Sequence, residues 1–576
     1  MTLSKEERKV LQDFEAYLGE PIPEVNEIHR YEFGCVIKEG HVKSLSLFSC
    51  NLYSIPENIN NLSQLEELYL RGNKLKFIPE ELCFIANLQK LDLSENKLTK
   101  FPKAFTSCQS LKELYLESNS IYMIPEEIGR LTNLEILDLS ENNLVEIPKS
   151  LCLLPKLRIC DFSGNVIREL PEAFKNLTSL EILLLGNNKL NSLPEGMGNL
   201  KLLKRLNLRN NQISRLPESF GNLSSLTSVF LQGNKITELP QSIGNLKNLT
   251  YLGLTSNEIS VLPETIGDMS LLETLSLSSN HLIHIPSQIN KLSALFRLEL
   301  HNNNLENIPD IGNLKSLRLL KLDRNNIKEL PESLGQLSSL EKVSLDRNSL
   351  EKLPESIGNL KNLKELDLYD NKLTVLPESI GKLKNLEILD LSKNYLKFLP
   401  NSIGQLKKLK ELDISTNRLK ELPISLGNLT LLKNLILGFN RLNHIPDSIG
   451  ELRNLETLDL GKNFLIQLPK SIGKLEKLQH LYLYYNKIEE LPESIGNLRS
   501  LKYLYLGNNN LRKLPNSIGN LKSLEYLFLR SNSLKELPST ILSLKNLKYL
   551  NIEKNQIDGA SDLIKQLEER GVKIFS

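Results

Sequence analysis

The residue types that could do chemistry are unevenly spread along this 576-residue chain, and their spacing speaks for binding more than for bond-making. Seven of the sixteen tyrosines lie between Tyr482 and Tyr549, where an even spread would put about two. They fall into columns one repeat apart: His480, Tyr503, Tyr526 and Tyr549 in one, Tyr482, Tyr505 and Phe528 in the next, with Tyr484, Tyr485 and Arg530 beside them. Amphipathic aromatics and arginine dominate interface energetics, so the cluster is a candidate partner-binding patch. The plainer alternative is that tyrosine suits strands and that neighbours in a column stack on one another.

Charge offers a second candidate. Arg297, His301, Lys321, Arg324, Lys342 and Arg347 form a basic segment, diluted by Glu299, Asp323 and Asp346. It lies between two acidic stretches, one containing Asp92, Glu117, Asp138 and Asp161, the other Asp367, Asp390 and Asp413. Such segments can select a partner by complementary charge, although exposed single pairs contribute little energy.

Catalysis has little to stand on. The seven histidines show no metal-ligand spacing with cysteine or acid, no glycine-rich phosphate loop occurs, and neither His301 nor His480 has a cysteine nearby in sequence. The expectation is no enzyme, no cofactor and no metal. With 71 basic and 69 acidic residues the formal charge is +2, which gives no drive toward nucleic acid. The first residues lack an apolar signal core and no stretch reaches membrane-spanning length, so membrane insertion is not expected. All six cysteines lie between Cys35 and Cys160 without clustering at both ends, which fits a reducing, cytoplasmic setting.

What must position these residues is a repeat. Leu-x-x-Leu-x-Leu-x-x-Asn places an asparagine every 23 residues from Asn73 to Asn303, then from Asn325 to Asn555. Counting a first unit at Cys50, there are 23 repeats, and the single slip falls where Pro309-Asp310-Ile311-Gly312 is one residue short. Leucines two apart point to one face of a short strand, and one unit cannot bury them alone, so neighbours must stack into a continuous parallel sheet. The asparagine amide can donate and accept, which satisfies turn groups cut off from water. The Leu-Pro-Glu-Ser-Ile-Gly half should run as an extended or 3₁₀ segment, with its glycine permitting a tight bend. The fold class is an α/β solenoid, a horseshoe with the parallel sheet on the concave side.

Ends of a stacked array need caps. Residues 1–41 read as an N-terminal cap: a helix opened by Ser4 and Glu7 as a capping box, with Val10, Leu11, Phe14, Tyr17 and Leu18 as its apolar stripe, then a hairpin turning at Glu39-Gly40. Residues 42–558 are the array. Residues 559–576 read as a C-terminal helix capped by Ser561, followed by a strand from Val572 to Phe575.

The motif Leu353-Pro354-x-x-Ile357-Gly358-x-Leu360-x-x-Leu363-x-x-Leu366-x-Leu368-x-x-Asn371-x-Leu373 resembles the leucine-rich-repeat class of Ras-group signalling scaffolds and of Scribble-type arrays, over residues 42 to about 558. The resemblance implies a non-catalytic scaffold or adaptor in intracellular signalling, with a protein partner such as a small GTPase or a phosphatase. The compact N-terminal cap departs from the long docking arm of the Ras-pathway scaffold, which puts the phosphatase in doubt. Two other readings remain open. One is an immune-type or host-interaction recognition module. The other is a ubiquitin-ligase effector, which needs a catalytic-cysteine domain beyond Asn555.

Overall fold

A computed structural model describes residues 3–576, which divide into two compact units at Leu282 and Ile283. In the first unit helix α1 (Lys5–Leu18) precedes β1 (Phe33–Lys38) and β2 (His41–Leu47), an antiparallel hairpin whose turn residues Glu39 and Gly40 both have positive φ. β2 then pairs in parallel with β3 (Glu67–Tyr69), and three-residue strands follow one per repeat to β12 (Thr274–Ser276). The second unit runs from β13 (Arg297–Glu299) to β24 (Tyr549–Asn551), then α2 (Ser561–Glu569) and β25 (Lys573–Phe575). Each unit is a leucine-rich-repeat solenoid with a parallel sheet on one side. Among the described residues, β2 to β24 supply 23 strands, one for each repeat counted in the sequence.

The core follows from period-two geometry. In β16 (Glu365–Asp367) the central Leu366 is fully buried while Glu365 and Asp367 stand on the open face. Leu360, Leu363, Leu368 and Leu373 complete the interior of that repeat, each fully buried. Opposite the sheet, a 3₁₀ turn begins after the proline, as Glu355–Asn359 does after Pro354. The shortened repeat lacks this turn. There Asp310 Oδ1 accepts from the Gly312 N–H at 2.9 Å and holds the trimmed loop.

Asparagine locks one repeat to the next. Asn371 Nδ2 donates to Leu368 O of its own repeat (3.2 Å) and to Leu345 O of the preceding one (2.9 Å), while its Oδ1 accepts from the Leu350 N–H (3.0 Å). The residue before the asparagine sits in the left-handed region in nearly every repeat, Asp370 at φ 54° for example.

Three local expectations are revised. Ser4 does cap α1 by accepting from the Glu7 N–H (3.0 Å), but the buried Glu7 carboxylate turns to His41 Nδ1 (3.1 Å) instead of completing the capping box. α2 begins at Ser561, with Ala560 at the cap position and no side-chain cap. The repeat glycine does not bend the chain. Gly358 lies outside the left-handed region, and a Cβ there would stand 2.9 Å from Ser379 Cβ and closer still to the Ser379 carbonyl oxygen. Its role is close approach between neighbouring 3₁₀ turns.

That distinction fixes the sign of a substitution. At an unstrained φ, Gly→Ala ordinarily stabilises by restricting the unfolded chain. Here Gly358→Ala should destabilise by about 1–3 kcal/mol, because the turn must move off its neighbour. Thermal unfolding followed by circular dichroism checks it.

Candidate binding face

The aromatic columns meet on the second unit. β21 (His480–Tyr482), β22 (Tyr503–Tyr505), β23 (Tyr526–Phe528) and β24 pair in register, so His480, Tyr503, Tyr526 and Tyr549 form one row. Tyr482, Tyr505 and Phe528 form the other. The intervening Leu481, Leu504, Leu527 and Leu550 are fully buried and anchor the strands.

Parallel strands lie about 4.8 Å apart, which is also a stacking distance for rings. The rings use it. His480–Tyr503, Tyr503–Tyr526, Tyr482–Tyr505 and Tyr505–Phe528 have centroids 4.6, 4.7, 4.9 and 4.4 Å apart, with planes 9°, 7°, 18° and 6° from parallel. Tyr549 joins the two rows, 6.2 Å from Tyr526 and 5.0 Å from Phe528. Phe575, on β25, stacks on Tyr549 at 5.0 Å and extends the ladder. Sequence reading missed Phe575 because its strand lies outside the 23-residue period.

This geometry decides what the face can offer. Rings inside a row have their faces against neighbouring rings, so what they turn outward is their edges and, for the tyrosines, hydroxyl groups. Burial raises the pKa of Tyr482, Tyr484 and Tyr505, so these hydroxyls are protonated donors at neutral pH. Burial, with Lys502 nearby, lowers the His480 pKa and holds the ring neutral. The plainer expectation, column stacking, is what the structure shows: a ladder of stacked, part-exposed rings.

The frame does not demand these aromatics. At the position of Tyr482, other repeats place aspartates whose Oδ1 accepts from the backbone N–H two residues on: Asp390 for Ser392, Asp413 for Ser415, Asp459 for Gly461, each at 2.8 Å. Tyr482, Tyr505 and Phe528 forgo that turn-closing bond. Tyr484 lies over Gly461, where a Cβ would meet the ring at 2.5 Å, so the small residue makes room for the large one. Tyr485 is more than half exposed and sits at φ 51°, in the left-handed position where a bulky side chain is unfavourable. Lys462 Nζ stands over its ring at 5.4 Å and over that of Phe439, one further repeat back, at 4.2 Å. Phe439 was also missed, although its place in the column of Tyr485 was legible. Arg530 is exposed and pairs with Glu553 at 3.3 Å.

The basic segment is largely neutralised from within. Arg297 and Lys321 share the Glu299 carboxylate at 2.7 and 3.2 Å, and Lys342 pairs with Glu365. His301 has partners of its own. Arg324 and Arg347 stand exposed at the left-handed positions, Arg347 5.7 Å over the Tyr369 ring. In the first unit the acidic stretch is answered too. Arg30, from the cap, bonds the fully buried Asp92 at 2.6 Å and lies 3.9 Å over the Tyr115 ring, while the buried Arg71 joins Glu95 (2.5 Å) and Glu117 (2.6 Å). Both arginines escaped the sequence reading, Arg30 because it lies in the cap and outside the repeat register.

The thiols are poor nucleophiles: burial pushes Cys35 and Cys50 up to about 11 and Cys152 to about 12. Among the described residues, no group of three or more His, Cys, Asp or Glu could hold a metal ion, and no helix is long and apolar enough to cross a membrane.

Comparison with known proteins agrees with this architecture. A leucine-rich repeat region family matches residues 110–188, 241–310, 299–369, 355–440, 424–504 and 491–569, and a second leucine rich repeat family matches 40–98, 63–121, 170–213 and 214–259. The chain belongs to the leucine-rich-repeat family. Among solved structures it is similar to the plant peptide hormone receptor RGFR1 in complex with RGF2, at 30% identity and TM-score 0.75 over 92% of this chain and 89% of that one. It is similar also to a TDR receptor, at 30% identity and TM-score 0.68 over 90% and 89%. The Arabidopsis receptor kinase HAESA, in complex with the peptide hormone IDA and the co-receptor SERK1, is 30% identical with TM-score 0.65 over 93% and 90%. No curated protein matches the chain.

Two outcomes follow from this face. Burial, with Asp346 and Asp390 nearby, raises the Asp367 pKa from 3.8 to about 6. The folded chain thus holds this proton more tightly than the unfolded one, so the side chain favours folding below about pH 4 and loses that contribution as pH rises through about 6. Asp367→Asn should therefore raise the thermal midpoint at pH 7.5, by the equivalent of about 1 kcal/mol after allowing for solvent screening, and leave it unchanged at pH 4. Tyr485→Asn should stabilise by about 0.5–1 kcal/mol, since asparagine tolerates the left-handed position, and denaturant unfolding measures it.

Proposed function

We propose that this protein is a non-catalytic scaffold or adaptor, and that its C-terminal aromatic ladder anchors a segment of a protein partner. The observation that carries the reading is the run of stacked rings in two adjacent columns of consecutive repeats, one of which, Tyr482, Tyr505 and Phe528, occupies the position where other repeats use turn-closing aspartates. Similar structures captured with peptide hormones support a peptide-sized ligand. The outward edges and hydroxyls favour a partner that offers hydrogen-bond acceptors along an extended backbone. An intracellular signalling role, with a small GTPase among the partner classes, belongs to this proposal through the resemblance to Ras-group scaffolds and the six free cysteines.

Two variants separate anchoring from packing. Tyr482→Ser/Tyr505→Ser/Phe528→Ser removes one of the ladder's two rows. Tyr482→Phe/Tyr503→Phe/Tyr505→Phe/Tyr526→Phe keeps the stacking and removes only hydroxyls. In affinity purification from native extract, with circular dichroism confirming the fold, the serine variant should lose the captured partner. The phenylalanine variant should weaken capture roughly tenfold while melting within a few degrees of the parent. Retention of the same partners by both variants would show that the ladder is packing alone.

A further inference from the structure

The first unit carries a second candidate site, on the flank of the repeats between the asparagine turn and the 3₁₀ segment. A cavity of about 350 Å³ opens there, and Phe77, Phe101 and Met123 form its apolar wall with Pro102 and Pro125. Phe77 is 63% exposed and Met123 48%, so these rings and thioethers face water. Lys76, Lys100 and Lys103 stand around the mouth, all exposed, and no acidic side chain lines the cavity.

The repeats supply their own control. In the first five units the two positions that follow the leucine or isoleucine hold Tyr53, Phe77, Tyr122, Met123 and Val145, all exposed, interleaved with Ser54, Lys76, Thr99, Lys100 and Glu146. In later units of the same half they hold Arg168 and Glu169, Asn191 and Ser192, Ser214 and Arg215, Thr237 and Glu238, and, in one unit, Ser260 with the exposed Val261. The frame therefore accepts polar residues at these positions, and stacking does not require the apolar ones. Large exposed apolar groups gathered in one place are costly in water unless something covers them.

We infer that this flank is a docking pocket for an acidic, apolar segment of a partner protein, which inserts large side chains between Phe77 and Met123 while its carboxylates meet the three lysines. Charge decides the occupant, since a mouth with three ammonium groups and no lining acid selects against basic partners. Size agrees: a benzene-sized group fits a cavity of roughly 150 Å³, so about two such groups fit here. The site is distinct from the aromatic ladder and does not rest on it.

Fluorescence anisotropy with two labelled synthetic peptides tests the inference: one an amphipathic sequence of leucine and glutamate, the other with lysine in place of glutamate. The acidic peptide should bind the full chain saturably and lose affinity as salt rises, while the lysine peptide should not bind. Phe77→Ser/Met123→Ser should weaken the acidic peptide roughly tenfold or more, and so should Lys76→Glu/Lys100→Glu/Lys103→Glu. Neither should shift the thermal midpoint much, because all five side chains are exposed or rim-lying. Ser192→Ala, in a polar repeat, and the serine variant of the aromatic ladder should leave this binding intact. The proposal is overturned if the two peptides bind alike, if neither saturates, or if the pocket variants bind as the parent does. It is also overturned if decanoate occupies the cavity while the acidic peptide does not, which would make it a site for free amphiphiles.

Discussion

Everything in this protein depends on one amide group repeated along the chain. Each ladder asparagine closes its own turn and reaches back to satisfy both a carbonyl and an N–H of the preceding repeat, as Asn371 does for Leu345 and Leu350. Stacking the leucines removes those backbone groups from water, and leaving them unpaired would cost about 1–3 kcal/mol each. An amide is the only uncharged side-chain group that donates twice and accepts at a single position, which is why apolar burial and turn closure can coexist at every step. The close approach of Gly358 to Ser379 is the same constraint seen from the opposite side of the repeat.

Because the interior is fixed this way, the open face is free to vary, and most of its charge is spent within the chain. Glu299 collects Arg297 and Lys321, Asp92 holds Arg30, and several aspartates close turns. Much of the charge that looks like partner-selecting patches when read along the sequence is thus paired within the chain, while Arg324 and Arg347 stay exposed. The aromatic ladder differs. Its rings cover one another's faces yet stay part-exposed, so it is both a packed structure and a surface that a partner can reach.

The flank pocket and the ladder illustrate one way of recognising function in a repeat protein. Stacking needs are the same in every unit, so a position that changes character over a few adjacent units answers to something other than stacking. Phe77 and Met123 against Glu169 and Ser192, and Tyr482 and Tyr505 against Asp390 and Asp413, are the clearest cases.

The sequence by itself determined the strand in each repeat, the buried leucines, the 3₁₀ side and the role of asparagine, because period and side-chain chemistry act locally and are reinforced by every copy. It also located the aromatic columns, since one repeat apart in sequence means adjacent in space. Tertiary structure alone decided what falls outside that rule. Arg30 reaches Asp92 from the cap, and Phe575 completes the ladder from a strand beyond the array. The Glu7 carboxylate goes to His41, and the repeat glycine serves contact between turns, not bending. Each of these is set by the distance between parts that no local period relates, and only the folded chain fixes such distances.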